Sequence, residues 1–330
     1  MTRLTNWVRL ALPGLLLSAT IALAVRFISD RLGGPAMLYA LLFGMAFNFL
    51  SDDERFARGI QFASRNILRI GVALLGLRIS TSDVMGLGWQ ILALVGVGIV
   101  ATVLFGTLIG RLLGLKGDHA VLSAGAVAIC GASAALAIAA VLPAHKDHER
   151  NTVLTVVGVT ALGTVAMIFY PVFVTFFGYD NTTAGVFLGA TIHDVAQVVG
   201  AGYMISDESG EISTLVKLLR VAFLVPVVMV ISLVIRRGRF ESTEGRSFLP
   251  WFLVVFVVLV ILNSFGFIPA EAHTVLTPVS SWCLLSAVAA IGVKTSLESF
   301  SEVGPAPMAA MLLQTIFLAV IAIGGIALIG

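Results

Sequence analysis

Charge is what this sequence has least of. Only 12% of its 330 residues are Asp, Glu, Lys or Arg, while 58% are apolar. An average soluble domain carries about 25% charge, so these side chains cannot cover a water-facing surface, and the mean hydropathy of +1.04 agrees. Cysteine is nearly absent. Cys130 and Cys283 both sit inside apolar runs, which argues against a disulfide framework. A net charge of +2 offers no basic face for nucleic acid. There is no His-Glu-x-x-His pair, no Walker A loop and no Gly-x-Ser-x-Gly elbow, so the usual hydrolase and NTPase chemistries lack their carriers. Ser133 and His193 have no spacing that makes them nucleophile and base, and the chain is read as a non-enzyme. The polar cluster His145–Arg150 has no clean ligand spacing, so neither a metal nor a cofactor is expected.

What the chain has in abundance is long apolar runs. The first, from Ala11 to Ile28, is too long for a leader's core and is read as a membrane helix. A crossing helix needs about 20 mostly apolar residues. Runs bounded by charge, Gly, Pro or Asn give about eleven candidates: 10–29, 35–50, 61–79, 88–113, 120–143, 151–178, 183–205, 212–235, 248–266, 273–293 and 305–329. Backbone polar groups cannot go unpaired in lipid, and unbroken runs such as Phe248–Leu262 lack barrel alternation, so the spans are helices. The fold class is an all-α polytopic membrane protein in which residues 1–330 form one integral domain, its core-motif helices at 119–206 flanked by 1–118 and 207–330.

Arg and Lys in short loops set orientation. With eleven spans, the side of the N-terminus holds Arg3, Arg9, Arg55, Arg58, Arg65, Arg111, Lys116 and the Arg236–Arg246 loop, against Arg31, Lys146 and Arg150 on the other. The N-terminus is therefore expected in the cytoplasm and the C-terminus outside, in a plasma (inner) membrane.

The first and last four spans echo one another. Arg9–Pro13 parallels Arg220–Pro226, Asn48 parallels Asn263, and Ala73–Arg78 parallels Ala289–Lys294, at an offset of 211–216. Matching spans are seven apart, which inverts the halves, as in many secondary transporters. A rival register pairs Ala126–Gly131 with Ala287–Gly292, again inverted. Spans three and ten have only short apolar stretches, Ile70–Leu77 and Leu284–Val293, before Arg78 and Lys294. They are read as broken helices whose free N–H groups suit an anion, or as tilted helices whose cations snorkel.

Three further places carry polar chemistry. In span five, Ala128–Ala135 is a run of small residues in which Gly131 can open the helix beside Ala132 and Ser133; helix packing is the alternative. Gly106, Gly110 and Gly114 form a packing stripe without chemistry. In span seven, Thr191–Gln197 places an imidazole, a carboxylate and an amide near mid-membrane, which is costly unless they pair or face water. His193 and Gln197 share a face and are expected to line a cavity, with Asp194 pairing elsewhere; a His–Asp clamp between helices is the alternative. Lys217 and Arg220 are read as a solvated helix end, with completion of a basic cavity the alternative, and Asn48 and Asn263 as interhelical hydrogen-bonding residues.

At Ala128–Ala134, His193–Val199 and Gly76–Ser80 the chain resembles the YeiH-type membrane proteins, a family labelled as sulfate exporters. The resemblance covers almost the whole chain. It departs at Asp194, where the family more often has Glu. The family is grouped with the bile acid, arsenite and riboflavin transporters. The resemblance therefore implies inverted repeats with two discontinuous helices crossing at mid-membrane, span five and either span seven or span ten.

The reading is a secondary transporter exporting a small anion, sulfate or a sulfonate-related one, in the bilayer, with a second copy in a homodimer as a candidate partner. Gly131, Ala132, Ser133 and Gln197 would hold the anion, and His193, Lys294 and Arg78 would balance its charge. His193 titrates near neutral pH, so protons are the expected coupling ion, with His193 and Asp194 as carriers. The alternatives are a cation/proton antiporter, with sodium or another cation on Asp194, and a channel or binding-only sensor.

Overall fold

A computed structural model describes residues 2–143, 146–235, 250–295 and 303–329. The 236–249 loop, His145 and Gly330, which figure in the orientation and cluster readings, lie outside them. The helices are α1 (Thr2–Leu32), α2 (Ala36–Ala46), α3 (Glu54–Phe62), α4 (Leu68–Leu75), α5 (Thr81–Gly86), α6 (Gly88–Leu112), α7 (Gly117–Ala128), α8 (Ala132–Ala139), α9 (His148–Phe176), α10 (Asn181–Thr191), α11 (Val195–Tyr203), α12 (Asp207–Ala222), α13 (Leu224–Ile235), α14 (Trp251–Ser264), α15 (Ala270–Lys294) and α16 (Pro305–Ile329). No strand occurs among the described residues. Among the described residues, six helical stretches are long and apolar enough to cross a membrane: Arg9–Leu32, Gly88–Leu112, His148–Phe176, Asp207–Val234, Ala270–Lys294 and Pro305–Ile329. The all-α membrane class follows.

The chain divides into two compact units. Unit 1 comprises Met1–Gly86, Val199–Glu211 and Trp251–Ser296. Its helices meet at glycines. A Cβ on Gly14 would lie 2.2 Å from the Phe56 carbonyl, and one on Gly59 2.1 Å from that of Ala11, so α1 and α3 cross backbone to backbone. A Cβ on Gly292 of α15 would meet the Leu41 carbonyl at 2.4 Å and Gly44 Cα at 2.9 Å. Gly76, which caps α4, stands in the same relation to α14: its Cβ would meet the Phe256 carbonyl at 2.5 Å and Leu259 Cβ at 3.0 Å. Asn48 donates its amide to the Val293 carbonyl at 2.8 Å, and Asn263 to that of Ile79 at 3.1 Å. Asn48 thus bonds across to α15 as expected, whereas Asn263 of α14 meets the non-helical stretch that follows α4.

Spans three and ten are not broken. α3 runs through a π-helical turn, Ala63–Ile67, directly into α4, and α15 is continuous over its 25 residues. Arg69 is accommodated inside α4, and Arg78 finds a partner just past its end. Arg69 lies 5.9 Å over the Phe252 ring, and Arg78 bonds Ser281.

Unit 2 comprises Leu87–Val198, Ile212–Pro250 and Leu297–Gly330. Gly106 and Gly110 of α6 bring α7 close, their Cβ positions falling 2.7 Å from Ala124 Cβ and 2.9 Å from Ala120 Cβ. Gly114, the third member of the expected stripe, instead ends the helix at φ +83 with open space around it.

Span five is not a through-span. Lys116, at the N-cap of α7, pairs with Asp147, the residue that precedes α9, so the two ends of the α7–α8 segment lie together. A Cβ on Gly125 of α7 would strike Ile138 of α8 at 2.3 Å, so the arms lie side by side. Val127 near the tip packs with Val159 and Leu162 of α9, so α7 and α9 run the same way and α8 returns between them. The segment is a helical hairpin that turns at Ile129–Gly131. α7 has 12 residues and reaches about 18 Å, half a bilayer.

Candidate functional site

The hairpin tip and the α10–α11 interruption meet on α12. Gly131 turns the first at φ +64, ψ −125, a backbone that Gly adopts without strain. At Ile192 (φ −66, ψ 142) the chain leaves α10 in an extended conformation, and α11 starts at Val195. A Cβ on Gly131 would lie 3.5 Å from His193 Cβ, so the two interruptions touch.

Breaking two helices inside a core strands their last carbonyls. Two cations satisfy them. Lys217 Nζ donates to the carbonyls of Ile129 (2.7 Å) and Ile192 (2.9 Å). Arg220 Nη1 donates to Gly189 (3.1 Å) and Ile192 (2.9 Å), and Nη2 to Val127 (3.1 Å) and Ala128 (3.0 Å). Lys217 is 0% and Arg220 1% exposed. Burying a charge costs several kcal/mol; here each faces the negative end of two helix dipoles, and neither forms an ion pair with a carboxylate among the described residues. The expectation that these residues form a solvated helix end is overturned.

The opposite, positive ends start the second half of each broken pair. α8 has no side-chain cap at Gly131, and Ser133 in its first turn is exposed. α11 is capped by Asp194, whose Oδ1 accepts from Ala196 N at 2.8 Å. Among the described residues Asp194 forms no ion pair with a basic residue, contrary to the expectation, but serves its own helix and stays half-buried.

His193 does not open onto a cavity. It is 0% exposed, and Nε2 bonds Thr315 Oγ1 of α16 at 2.9 Å. Nδ1, towards the Val127 carbonyl, makes no hydrogen bond of ordinary geometry. The clamp between helices is real, but its partner is Thr315 and not Asp194. Gln197 is also turned inward, donating to Thr160 O at 3.0 Å and Thr164 Oγ1 at 3.1 Å on α9, over Gly163, where a Cβ would overlap its Oε1 at 2.0 Å. The structure thus gathers Gly131, Ala132, Ser133, His193, Asp194 and Gln197 in unit 2. Arg78 and Lys294 belong to unit 1, where Lys294 ends α15 and Arg78 pairs with Glu211 at 3.4 Å.

For Lys217 and Arg220 sequence reasoning preferred a solvated end to a basic cavity, and it missed Thr315. A signal existed for the first two. Lys217 lies ten residues beyond Asp207, about 15 Å along a helix, which is already deep in a bilayer, and Arg220 follows on the same face.

Comparison with known proteins matches residues 13–311 to the family described as Conserved hypothetical protein 698. UPF0324 membrane protein TauZ of Paracoccus denitrificans is 51% identical over 97% of this chain and 96% of its own length. UPF0324 membrane protein CT0845 of Chlorobaculum tepidum is 50% identical over 95% and 88%, and RB0971 of Rhizobium meliloti is 48% identical over 96% and 93%. With half of the residues shared along nearly the full length, the chain belongs to the YeiH/UPF0324 family of membrane proteins.

Proposed function

We propose that the protein is a secondary active transporter of a small anion, with sulfate or a sulfonate-related anion first, exporting it across the inner membrane. The observation that carries the reading is the arrangement of Lys217 and Arg220. They neutralise the negative ends of both interrupted helices from behind, leaving the positive ends of α8 and α11 with one carboxylate, Asp194, between them. Such a site is net positive and suits an anion on the Ala132 and Ser133 N–H groups and the Ser133 hydroxyl. Asp194 supplies the coupling. It lies at the same helix ends as the proposed anion, so a proton carried there travels with the anion. His193 and Gln197, sealed against α16 and α9, hold the tips in place.

The membrane topology we infer has nine crossings and two half-way hairpins in place of eleven spans. Crossings are α1, α2, α3–α4, α6, α9, α12–α13, α14, α15 and α16. After the α7–α8 hairpin, α9 carries the chain to the side of Arg78. If α10–α11 crossed, Glu211 would emerge on the other side; because Glu211 pairs with Arg78, α10–α11 turns back as well. Lys146 and Arg150 then move to the N-terminal side and leave Arg31 alone among the opposing loop cations, which strengthens a cytoplasmic N-terminus. The inverted repeat gains support from unit 1. Gly292 against Leu41 and Gly44, and Gly76 against Phe256 and Leu259, are one contact made twice at an offset of 215–216, and Asn48 and Asn263 repeat it. The rival register, which pairs spans five and ten, matches a hairpin with the unbroken α15 and is dropped.

Proteoliposome flux of labelled sulfate and of small alkanesulfonates, with and without a pH gradient, tests the function. Flux accelerated by the gradient and made insensitive to it by Asp194→Asn is expected. Flux of sodium or another cation lost in Asp194→Asn, with no anion moving, would replace the proposal with the cation/proton antiporter. Impermeant thiol labelling of Lys116→Cys and Asp147→Cys tests the hairpin. Both should react from the cytoplasmic face; reaction from opposite faces restores a through-span.

A further inference from the structure

Unit 1 contains a cavity of about 500 Å³ built entirely from its own residues. Its wall is apolar where Met37, Pro278, Trp282, Leu284 and Leu285 line it, and charged where Arg26, Arg78 and Asp207 do. That volume lies within the range of small-molecule sites, about 300–1,000 Å³, and far exceeds what a single inorganic ion occupies. The cavity is therefore scaled for a molecule larger than an inorganic ion.

The polar groups on this wall are of both signs and only partly used. Arg78 gives Nη2 to Ser281 Oγ at 2.7 Å and Nη1 to Glu211 at a long 3.4 Å, while Nε makes no hydrogen bond of ordinary geometry. Beside it the Tyr203 hydroxyl is likewise buried without such a bond. Arg26 binds Asp30 through Nε alone, which leaves its other nitrogens for a ligand. Asp207 is exposed at the start of α12. Donors of positive charge and an acceptor carboxylate thus share one cavity with an aromatic and aliphatic wall. A simple anion would satisfy the guanidinium side and meet repulsion from Asp207; a simple cation would do the reverse.

We propose that this cavity binds a small organic zwitterion, its carboxylate or sulfonate on Arg78 with Arg26 and Tyr203, its ammonium on Asp207, and its short apolar frame against Trp282 and Pro278. Charge-assisted bonds at both ends make each charge necessary, whereas the frame tolerates changes of length.

Binding of ω-amino carboxylates of three to six carbons and of 2-aminoethanesulfonate to the purified full-length protein tests this, read by titration calorimetry. Each is compared with its deaminated anion and its decarboxylated or desulfonated amine. At least one zwitterion should bind about tenfold or more tighter than both of its single-charge counterparts. Asp207→Asn should bring that zwitterion down to the affinity of its anion. Ala36→Phe, which fills the cavity without touching a charge, should abolish binding while sulfate flux persists. The idea is overturned if no zwitterion binds, if an anion or amine binds as tightly as its zwitterion, or if Ala36→Phe leaves binding intact. Binding abolished by Ser133→Phe but not by Ala36→Phe would place the ligand at the unit 2 site and refute a separate one.

Discussion

In unit 1, carbonyls exposed where helices end are met by two neutral amides, Asn48 on Val293 and Asn263 on Ile79. In unit 2 the corresponding carbonyls are met by two fully buried cations. Unit 1 packs continuous helices through glycine contacts; unit 2 has such contacts too, at Gly106 and Gly110, but holds the tips of its interrupted helices through charge. The difference teaches where each unit can yield. A glycine crossing has no bistable part, because any change in separation opens a void between backbones. A cation shared between the tips of two broken helices holds them only while the geometry stays in register, so motion of a tip changes the electrostatics at the opposite helix end, where the anion is proposed to sit.

The largest effect should come from Arg220→Leu. It strands four carbonyl bonds in the core, and removing one member of a buried charged network costs about 3–5 kcal/mol. Thermal unfolding in detergent should show a pronounced loss of stability, and flux should vanish. Arg220→Lys keeps the charge but cannot reach Gly189, Val127, Ala128 and Ile192 at once, so it should recover folding more than transport. A stable, active Arg220→Leu would show that the tips are held by packing alone, and the contrast between the units would collapse.

Next come the paired glycines. Gly292→Ala and Gly76→Ala each force a Cβ into a backbone carbonyl, at 2.4 and 2.5 Å. Overpacking of this kind costs about 1–3 kcal/mol. If the two contacts are one motif used twice, the losses in unfolding free energy should agree closely. Gly324→Ala, inside α16 with nothing within 4 Å, should lose nothing and gain up to about 1 kcal/mol of helix propensity, and serves as the control. Unequal losses would weaken the repeat while leaving the packing argument standing.

These contrasts bear on what the sequence could reveal. The turn at Gly131 was legible because a glycine among small residues stands out against Leu- and Val-rich surroundings. That α8 turns back was not, because direction is carried by Lys116 and Asp147, 31 residues apart, and by Gly125 meeting Ile138. Spans three and ten looked broken because Arg69, Arg78 and Lys294 bound short apolar runs; α4 runs on through Arg69 because its guanidinium finds the Phe252 face, while Arg78 and Lys294 fall where α4 and α15 have ended or end. His193 drew attention correctly as a costly residue, yet periodicity within span seven could not place it against Thr315, which lies 122 residues further on. Chemistry borne by residue type was readable; chemistry borne by a distant neighbour was not.

A smaller effect separates the asparagine caps. Asn48→Leu and Asn263→Leu each leave one carbonyl without its donor, and the net loss for a neutral hydrogen bond of this kind is about 0.5–1.5 kcal/mol. Both should unfold slightly earlier in a denaturant titration with transport intact, far below the effect of Arg220→Leu. An asparagine variant as damaging as the arginine variant would mean that the two units depend equally on their caps.

The smallest effect, and the one that depends on pH, lies at the entry to α10. Asp180 accepts from Thr183 N at 3.0 Å and Thr183 Oγ1 at 2.7 Å as the N-cap. The Thr183 backbone bond, then its side-chain bond, holds this carboxyl below the usual aspartate range. A depressed folded pKa means that the cap's contribution is fully present above the ordinary aspartate value near 3.9 and is lost as pH falls through the lowered one. Asp180→Asn keeps an acceptor oxygen but removes the charge, so it should lower stability slightly at pH 7 and lose the difference from wild type once the wild-type carboxyl is protonated. Because α10 leads to the interruption at Ile192, hydrogen exchange at its first turn reports the change more sharply than global unfolding. Exchange that differs between Asp180→Asn and wild type by the same amount at pH 3 and pH 7 would show that the cap acts through geometry alone, without the charge that completes the helix end.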